Sequence, residues 1–279
     1  VVEVDGKLYT ADEFVTMYKG GVLNVHVYGL LVLIDCARMF HCFRIETFTG
    51  DVKIVGDASY MFYNTPVRAI GDWDMSEVTN VASMFQDAIF FDQALHWNTS
   101  SITQMNKLFS GALRFNSPLN WDTGKVVCMN RMFYHAQSFD QPLVWNTANV
   151  NDMSFMFSHA YSFDQNLAWD TQNVLDMSAM FSHAVRFDST LTFDTCNVVN
   201  MNSMFANAYK FNQPLNWDNY NIHSTKLMFH DAWSYSHIPH IKIKTDNIRN
   251  MFTNALLRRY PNVWEALLDF HDPFNKYEE

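Results

Sequence analysis

Three histidines, His135, His159 and His183, recur at intervals of 24 residues. Imidazoles brought into one column could ligate zinc or another transition metal. Two acidic series run in parallel with them. Asp92, Asp140, Asp164 and Asp188 share a position with Asn116 and Asn212; Asp122, Asp170, Asp194 and Asp218 share another with Asn98 and Asn146. Carboxylate columns are the oxygen-rich setting that suits Ca2+. Against metal binding, the histidine position also holds Asp87, Gly111, Asn207 and Asp231. Units about 4.8 Å apart would not bring three imidazoles to one tetrahedral centre. Asp and Asn alternate freely in the acidic positions, which turn and cap hydrogen bonds tolerate and a charge-dependent ion site does not. No metal or other cofactor is therefore expected.

Nucleophile and phosphate chemistry is absent from the motif inventory. There is no GxSxG, no HExxH, no P-loop and no dinucleotide glycine pattern, and the chain holds nine glycines in all. Any Asp–His pair arises from positions repeated along the chain, whereas catalysis needs one unique pocket. The expectation is a protein that is not an enzyme. A formal net charge of −10 excludes nucleic acid and anionic membranes as natural partners. No stretch of 18 apolar residues exists to span a bilayer as a helix. The four cysteines form no CxxC and no ladder, so neither a disulfide framework nor a zinc site is expected. Cys36 stands three residues before an anchor pair, where later units carry Met, and reads as a core residue.

What must position these columns is a repeat. A Met-Phe pair returns at Met39-Phe40, Met61-Phe62 and Met84-Phe85, lapses to Leu108-Phe109, and resumes from Met132-Phe133 to Met251-Phe252 with spacings of 22 to 24 residues. A fixed period of this size marks a stack of supersecondary units, none of which can bury its own apolar face alone. Within one unit, Val150, Met153, Met156, Phe157 and Ala160 are spaced three, three, one and three, as on one face of a helix or tight helical turn. Leu167 and Trp169 alternate with polar neighbours like a very short strand, with Phe163 in the connecting turn. Asn146-Thr147 and Asp170-Thr171 precede the helical stripe as cap residues.

The fold expected is a repeat solenoid of about ten 22–24-residue units, right-handed and leucine-rich-repeat-like, with short parallel strands and short helical turns. Residues 1–35 read as an N-terminal cap: a hairpin at Asp5-Gly6, a short helix opened by the capping box Thr10 to Glu13, and a strand. Residues 36–255 form the solenoid. Residues 256–279 read as a capping helix over the last unit with an acidic tail.

The unit MFxxAxxFNQPLNWDTxNVxxMxx, nearly unbroken from residue 132 to 155 and from 204 to 221, resembles the BspA-like leucine-rich-repeat surface proteins. The likeness is to their Met-Phe branch, found in mycoplasma-type lipoproteins, bacterial surface proteins and large DNA viruses. It covers residues 36–255. It implies adhesion or protein contact, with no catalytic residues to carry over. The stretch holds no lipobox and no attachment segment, which weighs toward a particle-associated or released component.

The working surface expected is the strand side. If Leu and Trp point inward, the residue between them points outward. That residue is His96, Asn120, Val144, Ala168, Thr192 or Asn216 in successive units, and the strip is nearly free of charge. A strip of this kind suits protein partners, including neighbouring subunits of an assembly. A virion or cell-surface location is favoured, with a cytoplasmic adaptor as the alternative.

Overall fold

The computed structural model describes residues 2–4, 7–10, 13, 23–41, 44–217, 221–237, 240–241 and 251–255. It is a repeat structure in which each unit bonds in parallel to the next. Strands β1 (Val2–Val4) and β2 (Lys7–Tyr9) form an antiparallel pair; the hairpin turn expected at Asp5-Gly6 lies outside the described residues. Beside them, Thr10 and Glu13 make the reciprocal capping-box bonds: Glu13 accepts from the Thr10 N–H at 2.8 Å, and Thr10 Oγ1 accepts from the Glu13 N–H at 3.2 Å. β1 also pairs antiparallel with β3 (Leu23–Ile34). From there onward pairing is parallel. β3 runs beside β4 (Ile45–Asp57), and β4 beside β5 (Ala69–Ile70) and β6 (Asp74–Asn80). β7 (Asn216–Trp217) pairs with β8 (His240–Ile241). The expected helix after Glu13 and the capping helix over 256–279 lie outside the described residues.

Between β6 and β7 the units are joined by single parallel bridges. One unbroken series runs Asn80–Gln104–Cys128–Asp152–Asp176–Asn200–Ser224. The expected Leu-x-Trp strands reduce to β7 and one bridge, Leu167–Leu191. The ladder instead lies just before the Met of the Val-x-x-Met segment. There the neighbouring Thr103 N–H also reaches the Thr79 carbonyl of the previous unit at 2.9 Å.

The helical turn expected at the Met-Phe stripe is not a helix. N–H groups of Met84, Gln86 and Ala88 bond back three residues, to Val81, Ser83 and Phe85, at 3.1 Å each. The alternate N–H groups of Ser83, Phe85 and Asp87 instead donate to Asn106, Leu108 and Ser110 of the next unit at 2.9, 3.0 and 2.7 Å. Ser83 and Asp87 have φ of 56° and 59°, in the third place of their turns, the mark of a type II turn. The stripe is a run of overlapping turns. A helix would bond every N–H inside its own segment; here half of them hold the next unit. Apolar spacings of three and four fit both, which is why the buried face was legible and the backbone path was not.

Stacked aromatics fill the core. Ten Phe rings, from Phe40 to Phe252, form one column with successive centroids 5.2–5.9 Å apart. A second column from Phe91 to Phe211 continues into Tyr235. Inside a unit the rings recur every six residues, as Phe109, Phe115 and Trp121. The first two are 3.9 Å apart, and Trp121 is 6.1 Å from Phe109. All three are buried, as is Cys36, whose thiol is pushed up to about 12 by burial. Burial of aromatic area of this extent dominates the energetics of such a stack.

Candidate functional site

The strand side is built by the alternation Leu in, variable out, Trp in. Leu143 and Trp145 are 3% and 6% exposed, while Val144 between them is 95% exposed. His96, Asn120, Ala168, Thr192 and Asn216 are likewise exposed, each between two buried residues. All six expected positions thus fall on one outward column. The indole N–H groups hold it in place. Trp121, Trp145 and Trp169 donate to the carbonyls of Leu95, Leu119 and Leu143 of the preceding unit, at 3.0, 3.2 and 3.1 Å. Neighbouring coils therefore cannot slide past each other without breaking buried bonds. Beside this column lies a second neutral one: Pro118, Pro142, Asn166, Thr190 and Pro214, all exposed, and the half-buried Ala94.

The acidic positions flank these columns and are structural acceptors. In the first, the Oδ1 of each residue takes the N–H of its counterpart one unit on: Asp92 from Asn116, Asn116 from Asp140, Asp140 from Asp164, Asp164 from Asp188, Asp188 from Asn212, at 2.8–2.9 Å. In the second, Oδ1 accepts the N–H two residues on, as in Asp122 to Gly124 and Asp170 to Gln172, the pattern of an Asx turn. The adjoining threonines extend to the next unit. Thr123 and Thr147 donate to the carbonyls of Asn146 and Asp170 at 2.8 and 2.7 Å. The cap role expected of these residues is therefore replaced by turns and inter-unit bonds. Asp218 lies outside the described residues.

The histidine column forms as expected, but its chemistry is set by the backbone. His135, His159 and His183 sit at φ of 57°, 62° and 59°. The same left-handed place is taken by Asn64, Asp87, Gly111, Asn207 and Asp231. These are the residue types that tolerate it. The rings stack face to face at 4.1 Å. Ser158 Oγ and Ser182 Oγ lie 3.0 Å from the Nδ1 of His159 and His183. Burial, and then the neighbouring imidazoles His135 and His183, push His159 down to about 4. Burial also lowers His135 and His183. Among the described residues no group of three or more His, Cys, Asp or Glu is arranged to hold a metal ion. No described helix is long and apolar enough to cross a membrane.

Two surface features escaped the sequence reading. The position after the inward Ala carries Ile89, Leu113, Tyr161 and Trp233, all partly exposed, with Trp233 stacked on Tyr209 at 4.4 Å. The outer face of β3 exposes Tyr28, Leu30, Val32 and Ile34. The first was findable as one more recurrent slot. The second was masked because an apolar run such as residues 30–34 reads as core until strand alternation sorts it.

A family model described as a Mycoplasma protein of unknown function, DUF285, matches the chain twice in tandem, over residues 56–168 and 167–259. No curated protein and no solved structure matches it. The match supports the mycoplasma-type repeat resemblance, and does not extend to the BspA-like leucine-rich repeats.

Proposed function

Since the chain belongs to the DUF285 family of mycoplasma-type repeat proteins, we propose that it is a non-catalytic solenoid that works by protein contact on its strand side. In this reading the stack closes as a right-handed, leucine-rich-repeat-like coil, and the protein is a structural, particle-associated or surface component. The observation that carries it is the outward column from His96 to Asn216. It is exposed throughout, aligned over six units and includes Val144 at 95% exposure. A solvated sheet face ordinarily carries charged side chains; one nearly free of charge on a rigid scaffold favours association. The repetition of near-identical units supports a non-catalytic reading, because catalysis needs one unique pocket and these positions recur from unit to unit.

An intracellular adaptor is the second reading. Its support is that Cys36, Cys128 and Cys196 are all free thiols, the state that a reducing compartment maintains.

The test is a triple variant, V144R/A168R/T192R, compared with the parent for self-association and for partners retained from its source cells. All three side chains are exposed, so the melting temperature is expected to hold. Loss of association is the expected outcome. Unchanged association at unchanged stability would remove the strand side as the working surface.

A further inference from the structure

The two acidic columns carry more charge than the backbone needs. What the fold asks of each position is one acceptor oxygen. Asn116 and Asn212 serve the inter-unit bond as well as Asp140 does, and Asn146 serves the Asx turn as well as Asp122 does. Yet Asp140, Asp164 and Asp188 occupy three consecutive units, and so do Asp170, Asp194 and Asp218. At a unit spacing of about 4.8 Å, stacked like charges repel one another. The second carboxylate oxygen of Asp92, Asp122, Asp140, Asp164, Asp170 and Asp188 has no hydrogen-bond partner among the described residues.

The surroundings do not neutralise them. The two neutral columns between the rails hold no Lys or Arg from residue 94 to 216. Arg114, Arg186 and Lys210, two residues before the positions of one rail, and Lys125, three residues after Asp122 of the other, make no ion pair with either rail among the described residues. The described ion pairs involve Lys53 and His230 instead. The strand side is thus an uncharged floor, with an exposed Val144, between two unneutralised acidic rails.

We propose that this face binds an extended, basic segment of a partner protein. The inference rests on the strand side being the contact surface, and adds the chemistry of what it contacts. Alternate residues of an extended segment point to opposite sides. Lys or Arg at successive positions therefore address both rails while the backbone and small side chains lie on the neutral floor. Charge complementarity of this kind governs partner choice and association rate.

The test uses the full chain and a fluorescent twelve-residue peptide of Lys-Lys-Thr-Thr repeats, whose paired lysines point to opposite sides, with its Glu-Glu-Thr-Thr counterpart, by anisotropy at low and at 0.15 M salt. The rail variant is D122N/D164N/D170N. The control, D152N/D176N/D231N, removes as many carboxylates away from the face. Both place Asn where other units already carry it, so both are expected to fold. The rail variant is expected to bind the Lys peptide about tenfold more weakly at low salt, the control less than twofold, and the Glu peptide not at all. Equal loss in both variants would reduce the effect to net charge and overturn the proposal. No loss in either would overturn it too, as would displacement of the peptide by spermine or Ca2+ at equal charge concentration. If V144R/A168R/T192R loses its partners while peptide binding ignores the rails, the contact surface stands and the basic partner falls. If that variant keeps its partners, the contact surface itself falls.

Discussion

Residues 23–57 and residues 81–211 join parallel units by different means. In the first region the backbone does the work: β3 and β4 are 12 and 13 residues long and pair along their length, with register shifts at two places. In the second, continuous strands give way to single bridges and side-chain ladders from Asp, Asn, Thr and Trp. The spacing explains the difference. A side chain can serve as a ladder rung only if its counterpart recurs in the same slot, and that holds where the period stays at 24. Where spacings of 22 and 23 near the start shift the slots, isolated side-chain links remain, as Thr47 Oγ1 to Asn24 and the Asp57 N–H to Asp35, and continuous backbone pairing carries the rest, shifting register through bulges and positive-φ glycines.

The largest expected effect tests whether the middle region behaves as a chain of coupled units. Phe157 is fully buried between Phe133 and Phe181, at 5.6 and 5.7 Å, and lies 3.9 Å from Phe163. Phe157→Ala should cost about 3–5 kcal/mol. By urea titration it should also split one unfolding transition into two, as the units on either side uncouple. A single transition at unchanged midpoint would show that the ring column is not the coupling element.

Next in size is a contrast between two glycines. A Cβ on Gly50 (φ 101°) would lie 2.3 Å from the backbone carbonyl of Val27, inside the strand pair. On Gly111 (φ 71°) it would meet the Asp87 carboxylate at 2.1 Å, a side chain that can turn away. Gly50→Ala should cost about 2–4 kcal/mol and Gly111→Ala about 1 kcal/mol. Equal costs in thermal melts would mean that the strand region yields as readily as the turns.

The smallest effect is acid sensitivity confined to the middle. His159 binds a proton in the folded state only near pH 4, against an ordinary value of 6.5. The unfolded chain takes up protons first as pH falls, so stability is full above about 6.5 and is lost progressively toward 4. The groups facing this column are Asp87, which favours the charged form of His135, and His230, which opposes that of His183. H135N/H159N/H183N, with the Asn found at 64 and 207, should flatten the melting temperature between pH 7 and 4.5. Amide exchange in residues 23–57 should not respond to the substitution. A parent protein with a pH-independent melt would remove the histidine column as the cause.

The six strand-side positions were legible because alternation needs no knowledge of the neighbours: Leu167 and Trp169 bury themselves, and Ala168 must face out. Acceptor roles for the Asp and Asn columns were legible too, from their free interchange. Their partners were not. An Oδ1 that caps its own turn and one that reaches a residue 24 positions on demand the same side chain, so Asp122 and Asp140 look alike in sequence.

By itself the sequence determined the period, the inward ring and methionine positions, and the outward uncharged strip, because burial is a property of side-chain type and spacing. Only the tertiary structure decided that the Met-Phe stripe is a run of turns, that the ladder runs from Asn80 to Ser224, and that the histidine slot is a left-handed one. Each of those depends on where the backbone N–H groups find acceptors. For half of the stripe's N–H groups the acceptor belongs to the next unit, which no local pattern contains.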